Sequence, residues 1–192
     1  MNGHKIVNQQ GLYYLTLTTV GWIDIFTRKV YREILLDSFR YCQASKGLVL
    51  YAYVIMGNHV HIIAQAETPY RLSDILRDFK KYTARQILAH IQTSTESRKD
   101  WLLHVMRYYA KFNKNNRNYQ CWQNDNHPVE LVSPKWIAQK LNYIHLNPVR
   151  ADWVDEAEQY RYSSARSYVG KDGLIEVVLL ELPMSMEGYV TL

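Results

Sequence analysis

The chain has 192 residues, 47% of them hydrophobic and 21% charged, which is enough apolar material for one packed domain and excludes a disordered chain. With 23 Lys and Arg against 18 Asp and Glu, the net charge of +5 is compatible with a nucleic-acid partner without demanding one. No apolar run approaches the roughly 18 residues needed to span a bilayer, the opening MNGHKIVNQQ has no hydrophobic signal core, and the expectation is a cytoplasmic protein without membrane contact.

The first strand signal is Leu12 to Val20, rich in Tyr, Thr and Leu with alternation. Thr27 is placed to cap a helix from about Arg28 to Ala44, whose apolar Val30, Ile34, Leu35 and Phe39 recur at helical spacing. Lys46-Gly47 then ends it with a C-terminal glycine. Two β-branched and aromatic runs follow, Leu48 to Met56 and His59 to Ala64, around a Gly57-Asn58 break that suits a hairpin. Helical patterns cover Arg71 to about Gln92 and Trp101 to Phe112. The polar NKNNRN leads to YQCWQ, a short strand candidate. Ser133-Pro134 opens a last helix with a cap and an N-terminal proline, and Pro148 should stop it near Asn147.

This order is strand, helix, strand, strand, helix, extra helix, strand, helix. It predicts an α+β fold: a ferredoxin-like (split βαβ) antiparallel sheet with helices packed on it and an added C-terminal helix. One domain should span 1–192, with 170–192 a C-terminal extension. Within that extension, Leu174 to Leu182 reads either as a strand or as a buried helical turn. Cys42 and Cys121 have neither metal-ligand spacing nor a disulfide pattern.

Two clusters suggest chemistry. His59 and His61 flank Val60, and residues two apart on a strand project to one face. Imidazole is a good ligand for divalent metals, although H-x-H alone is a weak signal and two histidines on a solvated sheet face are common. In SPKWIAQKLNYIHLNP, Ile137, Leu141 and Ile144 form the core stripe, and Tyr143 lies off it. Asn147 is one turn beyond Tyr143, so its amide can lie beside the phenol. His145 projects away from Tyr143 and reads as structural. Position alone does not single out Tyr143 among 16 tyrosines.

From Trp101 to Asn124 there is no acidic residue, and Arg107, Lys111, Lys114 and Arg117 interleave with Tyr108, Tyr109, Phe112 and Tyr119. Basic groups for phosphates and aromatic faces for unpaired bases suit single-stranded nucleic acid. Arg77, Lys80, Lys81 and Arg85 form a second basic cluster. Solvated helix faces are the alternative for both.

The stretch YVIMGNHVHIIA resembles the metal-binding hairpin of the histidine–hydrophobe–histidine single-strand nucleases. KLNYIHLNPVRADWV resembles the catalytic helix of their single-tyrosine transposases, and WQNDNHPVEL and YRYSSARSY add to a likeness with the REP-associated tyrosine transposases. The resemblance implies the ferredoxin-like fold and roles for four residues. His59, His61 and Asn147 would hold a divalent metal, Mg²⁺ or Mn²⁺, and Tyr143 would be the nucleophile. Many relatives carry glutamine where Asn147 stands. The implied activity is a metal-dependent single-strand DNA endonuclease and strand transferase, working through a 5′-phosphotyrosine on single-stranded or hairpin DNA. A decayed nucleic-acid-binding module and a replication initiator or relaxase are the alternatives. A homodimer and a monomer are both compatible with it.

Overall fold

The computed structural model describes residues 5–113 and 118–181. Among them, β1 (Tyr13–Thr18), β2 (Leu48–Ile55), β3 (His59–Ala66) and β4 (Val129–Glu130) form one antiparallel sheet in the order β2-β3-β1-β4. That order, with helices on the sheet, is the ferredoxin-like α+β arrangement expected from the sequence.

The helices are α1 (Lys29–Lys46), α2 (Leu72–Thr93), α3 (Lys99–Ala110), α4 (Pro134–Arg150) and the short α5 (Ala165–Tyr168). α1 and α2 pack on each other and on the sheet, burying Leu35, Leu36, Phe39, Leu72, Ile75, Leu76 and Phe79. Phe39 and Phe79 stack at 4.4 Å between them. Alternation turns Leu15, Leu17, Val60 and Ile62 toward this layer. The other face receives α4, which contacts β2 and β3. The same alternation turns Tyr14, Thr16, His59 and His61 toward α4. The sheet is therefore a partition, with a dry helix pair on one side and the chemistry on the other.

Gly47 ends α1 at φ 64°, as its sequence position suggests. The start differs from expectation. Thr27 does not cap α1; its hydroxyl donates to the Asp24 carbonyl, and Arg28 occupies the cap position without a side-chain bond. Pro148 also fails to stop α4, which continues to Arg150. The ring removes its own N–H and crowds the Ile144 carbonyl, but Ala151 and Trp153 still donate to the carbonyls of Asn147 and Pro148 and carry the last turn past it. YQCWQ contributes an isolated bridge, Trp122 to Thr19, and the fourth strand lies further on, at Val129–Glu130.

Leu174 to Glu181 is neither strand nor helix. It follows β2, with Val178 N–H donating to the Leu50 carbonyl, while Arg40 and Gln43 of α1 donate to the carbonyls of Leu174 and Glu176. Upstream, Ile55 donates to the Tyr162 carbonyl and Ser164 to the Tyr53 carbonyl. Together these segments cover the outer edge of β2, which would otherwise present unpaired backbone groups. The remainder of the 170–192 extension, from residue 182, lies outside the described residues.

Candidate active site

The β1–β3 ladder sets the geometry. His61 pairs with Thr16 and His59 with Thr18, and the tight Gly57-Asn58 connection delivers both histidines at the start of β3. Their ring centres lie 4.7 Å apart. Two imidazoles bound to one ion through bonds of about 2.1 Å have centres roughly 5 Å apart, so the pair has the spacing of a shared site.

Each ring is held at its Nδ1. His59 Nδ1 lies 2.6 Å from Asn58 Oδ1. The Asn58 amide nitrogen donates to the Trp22 carbonyl, which only accepts, so its oxygen must face the imidazole. His59 therefore carries its proton on Nδ1 and keeps the Nε2 lone pair open. His61 Nδ1 lies 2.8 Å from the Tyr14 hydroxyl and 3.0 Å from the Thr16 hydroxyl. With its proton on Nδ1, His61 donates to these oxygens and likewise presents Nε2. Ring nitrogens anchored in this way are the usual support for histidine ligands.

Burial lowers the pKa of His59. Burial, then the neighbouring His59 and Lys140, push His61 down to about 3. Both rings are thus neutral near pH 7, as metal coordination requires. Among the described residues no group of three or more His, Cys, Asp or Glu side chains gathers in ligand geometry. Asn147, half-buried one turn beyond Tyr143 on α4, carries an amide of the kind that can serve as a third donor. The two neutral imidazoles, with centres 4.7 Å apart, fit a shared divalent ion.

Tyr143 is brought to the same place. Its ring meets His61 edge-on at 5.3 Å and Tyr14 at 6.2 Å, and it is 37% exposed. Lys140 Nζ stands 5.8 Å from its ring centre and Arg150 Cζ 5.4 Å. An accessible phenol beside two imidazoles and two cations can receive a phosphodiester. Tyr14 is buried, and burial pushes its pKa up to about 12, so its hydroxyl stays a neutral anchor. His145 is fully buried instead, its Nε2 3.0 Å from Ser164 Oγ.

The basic residues divide. Arg107 and Lys111 are exposed on the outer side of α3 beside Tyr108, Tyr109 and Phe112, and Arg107 donates to the Tyr119 hydroxyl. Lys81 is exposed on α2. Arg77 is paired with Asp74 and Asp78. The Lys80 ammonium is turned inward to the Gln123 carbonyl and Asn126 Oδ1, and burial lowers its pKa to about 8. Lys114 and Arg117 lie outside the described residues. Sequence reasoning missed Asn58, Tyr14 and Thr16, because their roles are cross-strand contacts or a bond across a turn. The apolar cleft between α1 and α2, about 350 Å³ and floored by Cys42 and Phe79, does not join the site.

A sheet with paired histidines under a tyrosine-bearing helix points to the DNA-processing transposases. The family model for IS200-like transposases matches residues 10–124, more than half of the chain, and the chain belongs to that family. The matched region contains His59 and His61 and ends before Tyr143 and Asn147. A solved structure described as a REP-associated tyrosine transposase bound to a REP hairpin shares the fold, with a TM-score of 0.62, 14% identity, and 95% of this chain and 94% of that chain covered. A putative transposase from Deinococcus radiodurans overlaps 62% of this chain and 98% of its own at 15% identity, with a TM-score of 0.36 too low to carry an argument. No curated protein matches. Among the described residues no helix is long and apolar enough to cross a membrane.

Proposed function

We propose that the chain is a metal-dependent endonuclease and strand transferase for single-stranded, hairpin-containing DNA, acting through a covalent 5′-phosphotyrosine on Tyr143. The observation that carries this reading is the meeting of three rings from two elements, His59 and His61 of β3 and Tyr143 of α4, with centres 4.7 and 5.3 Å apart. When bound by His59, His61 and Asn147, Mg²⁺ or Mn²⁺ supplies polarisation of the scissile phosphate and offsets its developing charge.

Tyr143 gives up its phenolic proton and its oxygen attacks phosphorus. A bond forms between phosphorus and the tyrosine oxygen, and the bond to the 3′ oxygen breaks. The electron pair leaves with that oxygen, which takes a proton to become a 3′-hydroxyl. The phosphotyrosine keeps the bond energy, so a second 3′-hydroxyl rejoins a strand by the reverse attack. Lys140 and Arg150 bring positive charge to the phosphate. Exposed Arg107 and Lys111 hold the strand beyond it.

The test uses purified protein, Mn²⁺ and a pool of hairpin oligonucleotides with randomised single-stranded flanks. A covalent protein–DNA adduct should survive a denaturing gel, and EDTA should prevent it. Tyr143→Phe should bind the pool like wild type and form no adduct. An adduct in Tyr143→Phe would remove Tyr143 as nucleophile, and none in wild type would favour a binding module.

A further inference from the structure

Trp22 is absent from the chemistry derived so far, yet the residue is 62% exposed and its ring meets His59 edge-on at 6.4 Å. Its backbone has φ 54°, a left-handed conformation that a bulky residue rarely adopts. Gly21 before it has φ 59°, so two successive residues turn sharply to present the ring. The turn lets Val20 and Ile23 enter the core on either side, yet the tryptophan between them stays largely exposed, so its own burial does not explain a bulky ring there. Such strain persists where surroundings hold it, and it concentrates at functional sites. Thr19 holds the turn through its carbonyl and hydroxyl, and so does Asn58, whose amide nitrogen donates to the Trp22 carbonyl while its oxygen orients His59. One side chain therefore couples the indole to a candidate metal ligand.

The surroundings indicate what the ring is for. Gly21 and Ile23 form one wall of a cleft of about 290 Å³, and Trp101, Tyr108 and Tyr109 of α3 contribute to the other. Tyr108 packs against Tyr109 at 5.5 Å and Phe112 at 5.1 Å. Arg107 and Lys111 lie on the same helix end. Trp22 thus stands beside His59, and the residues on either side of it, Gly21 and Ile23, border the cleft that Tyr108 and Tyr109 also line. A double helix hides its base faces, whereas a single strand offers them for stacking.

We infer that Trp22 is a stacking platform for an unpaired base next to the scissile phosphate. The inference rests on the reading that DNA occupies the histidine–tyrosine site, but its test needs no cleavage. In EDTA, fluorescence anisotropy would compare oligothymidine with an equally long oligomer of abasic residues. Trp22→Ala should weaken oligothymidine about 10-fold, as expected for one lost stacking partner. It should leave the abasic oligomer unchanged, and Trp22→Phe should keep most of the affinity. A 5-bromodeoxyuridine oligomer should photocross-link to the Trp22 peptide.

Equal weakening of both oligomers by Trp22→Ala, no weakening of either, or cross-links confined to other peptides would overturn the platform. A protein that stacks bases on Trp22 yet forms no adduct would keep this inference and lose the nuclease. Adduct formation with wild-type oligothymidine binding in Trp22→Ala would do the opposite.

Discussion

The histidine pair depends on groups behind it, and Tyr14 is the most direct place to test that dependence. Tyr14→Phe keeps the ring that stacks on His61 at 5.4 Å and removes only the hydroxyl 2.8 Å from Nδ1. The Thr16 hydroxyl remains at 3.0 Å, so the imidazole loses one of two anchors. Loss of such a partner costs about 10- to 100-fold in metal affinity. The Tyr14 hydroxyl is neutral and its neighbour partly compensates, so Tyr14→Phe should fall at about the 10-fold end. Adding Thr16→Val removes the second anchor and should bring the loss to about 100-fold, or roughly 2.7 kcal/mol. The assay is calorimetric titration of MnCl₂ into each protein at pH 7.5, with urea unfolding in EDTA as the control for folding. If the double variant folds and binds Mn²⁺ as tightly as wild type, the hydroxyls do not orient His61 and the reasoning fails.

Two further outcomes follow from the same geometry. Gly21→Ala puts a methyl group 2.9 Å from Tyr109 Cε2 and 3.1 Å from Val105 Cγ1 at a positive φ; it should cost about 1–2 kcal/mol and weaken oligothymidine binding, and an unchanged melting temperature would contradict this. Burial pushes both His61 and His145 down to about 3, below the ordinary value of 6.5. Depressed histidines favour folding while neutral, so this stability is complete above pH 6.5 and is lost as pH falls from 6.5 toward 3. Each contributes a slope of about 1.4 kcal/mol per pH unit, and urea midpoints that stay level between pH 6.5 and 5.5 would rule it out.

How far the sequence could be read depended on the range of each cause. Alternation in Tyr13–Thr18 and His59–Ala66, and the apolar spacing of α1 and α2, are local signals, and the sheet follows from them. The shared direction of His59 and His61 is also local, being a property of any strand. Pro148 is misleading because its ring costs the bond to the Ile144 carbonyl without ending the helix, since the bonds that Ala151 and Trp153 make beyond it carry the last turn. Val129–Glu130 pairs with Tyr13 and Tyr14 across more than a hundred residues, and its two residues have no pattern of their own. Leu174–Glu181 has strand composition but serves as an edge cover, a role that only the position of β2 defines. The second partners of the histidines come from β1 and from the turn, and no spacing within HVH announces them.

The amide of Asn58 limits what evolution can write at that position. Aspartate would still accept from His59, but it could not donate to the Trp22 carbonyl, and it would set two oxygens against each other. Glutamine has both groups on a longer arm and would have to coil to reach His59 next to it and the Trp22 carbonyl in the segment after β1. Serine offers a single oxygen for two partners of opposite character. A residue that looks like ordinary hairpin punctuation is thus a two-way adaptor, and the turn and the site can change only together.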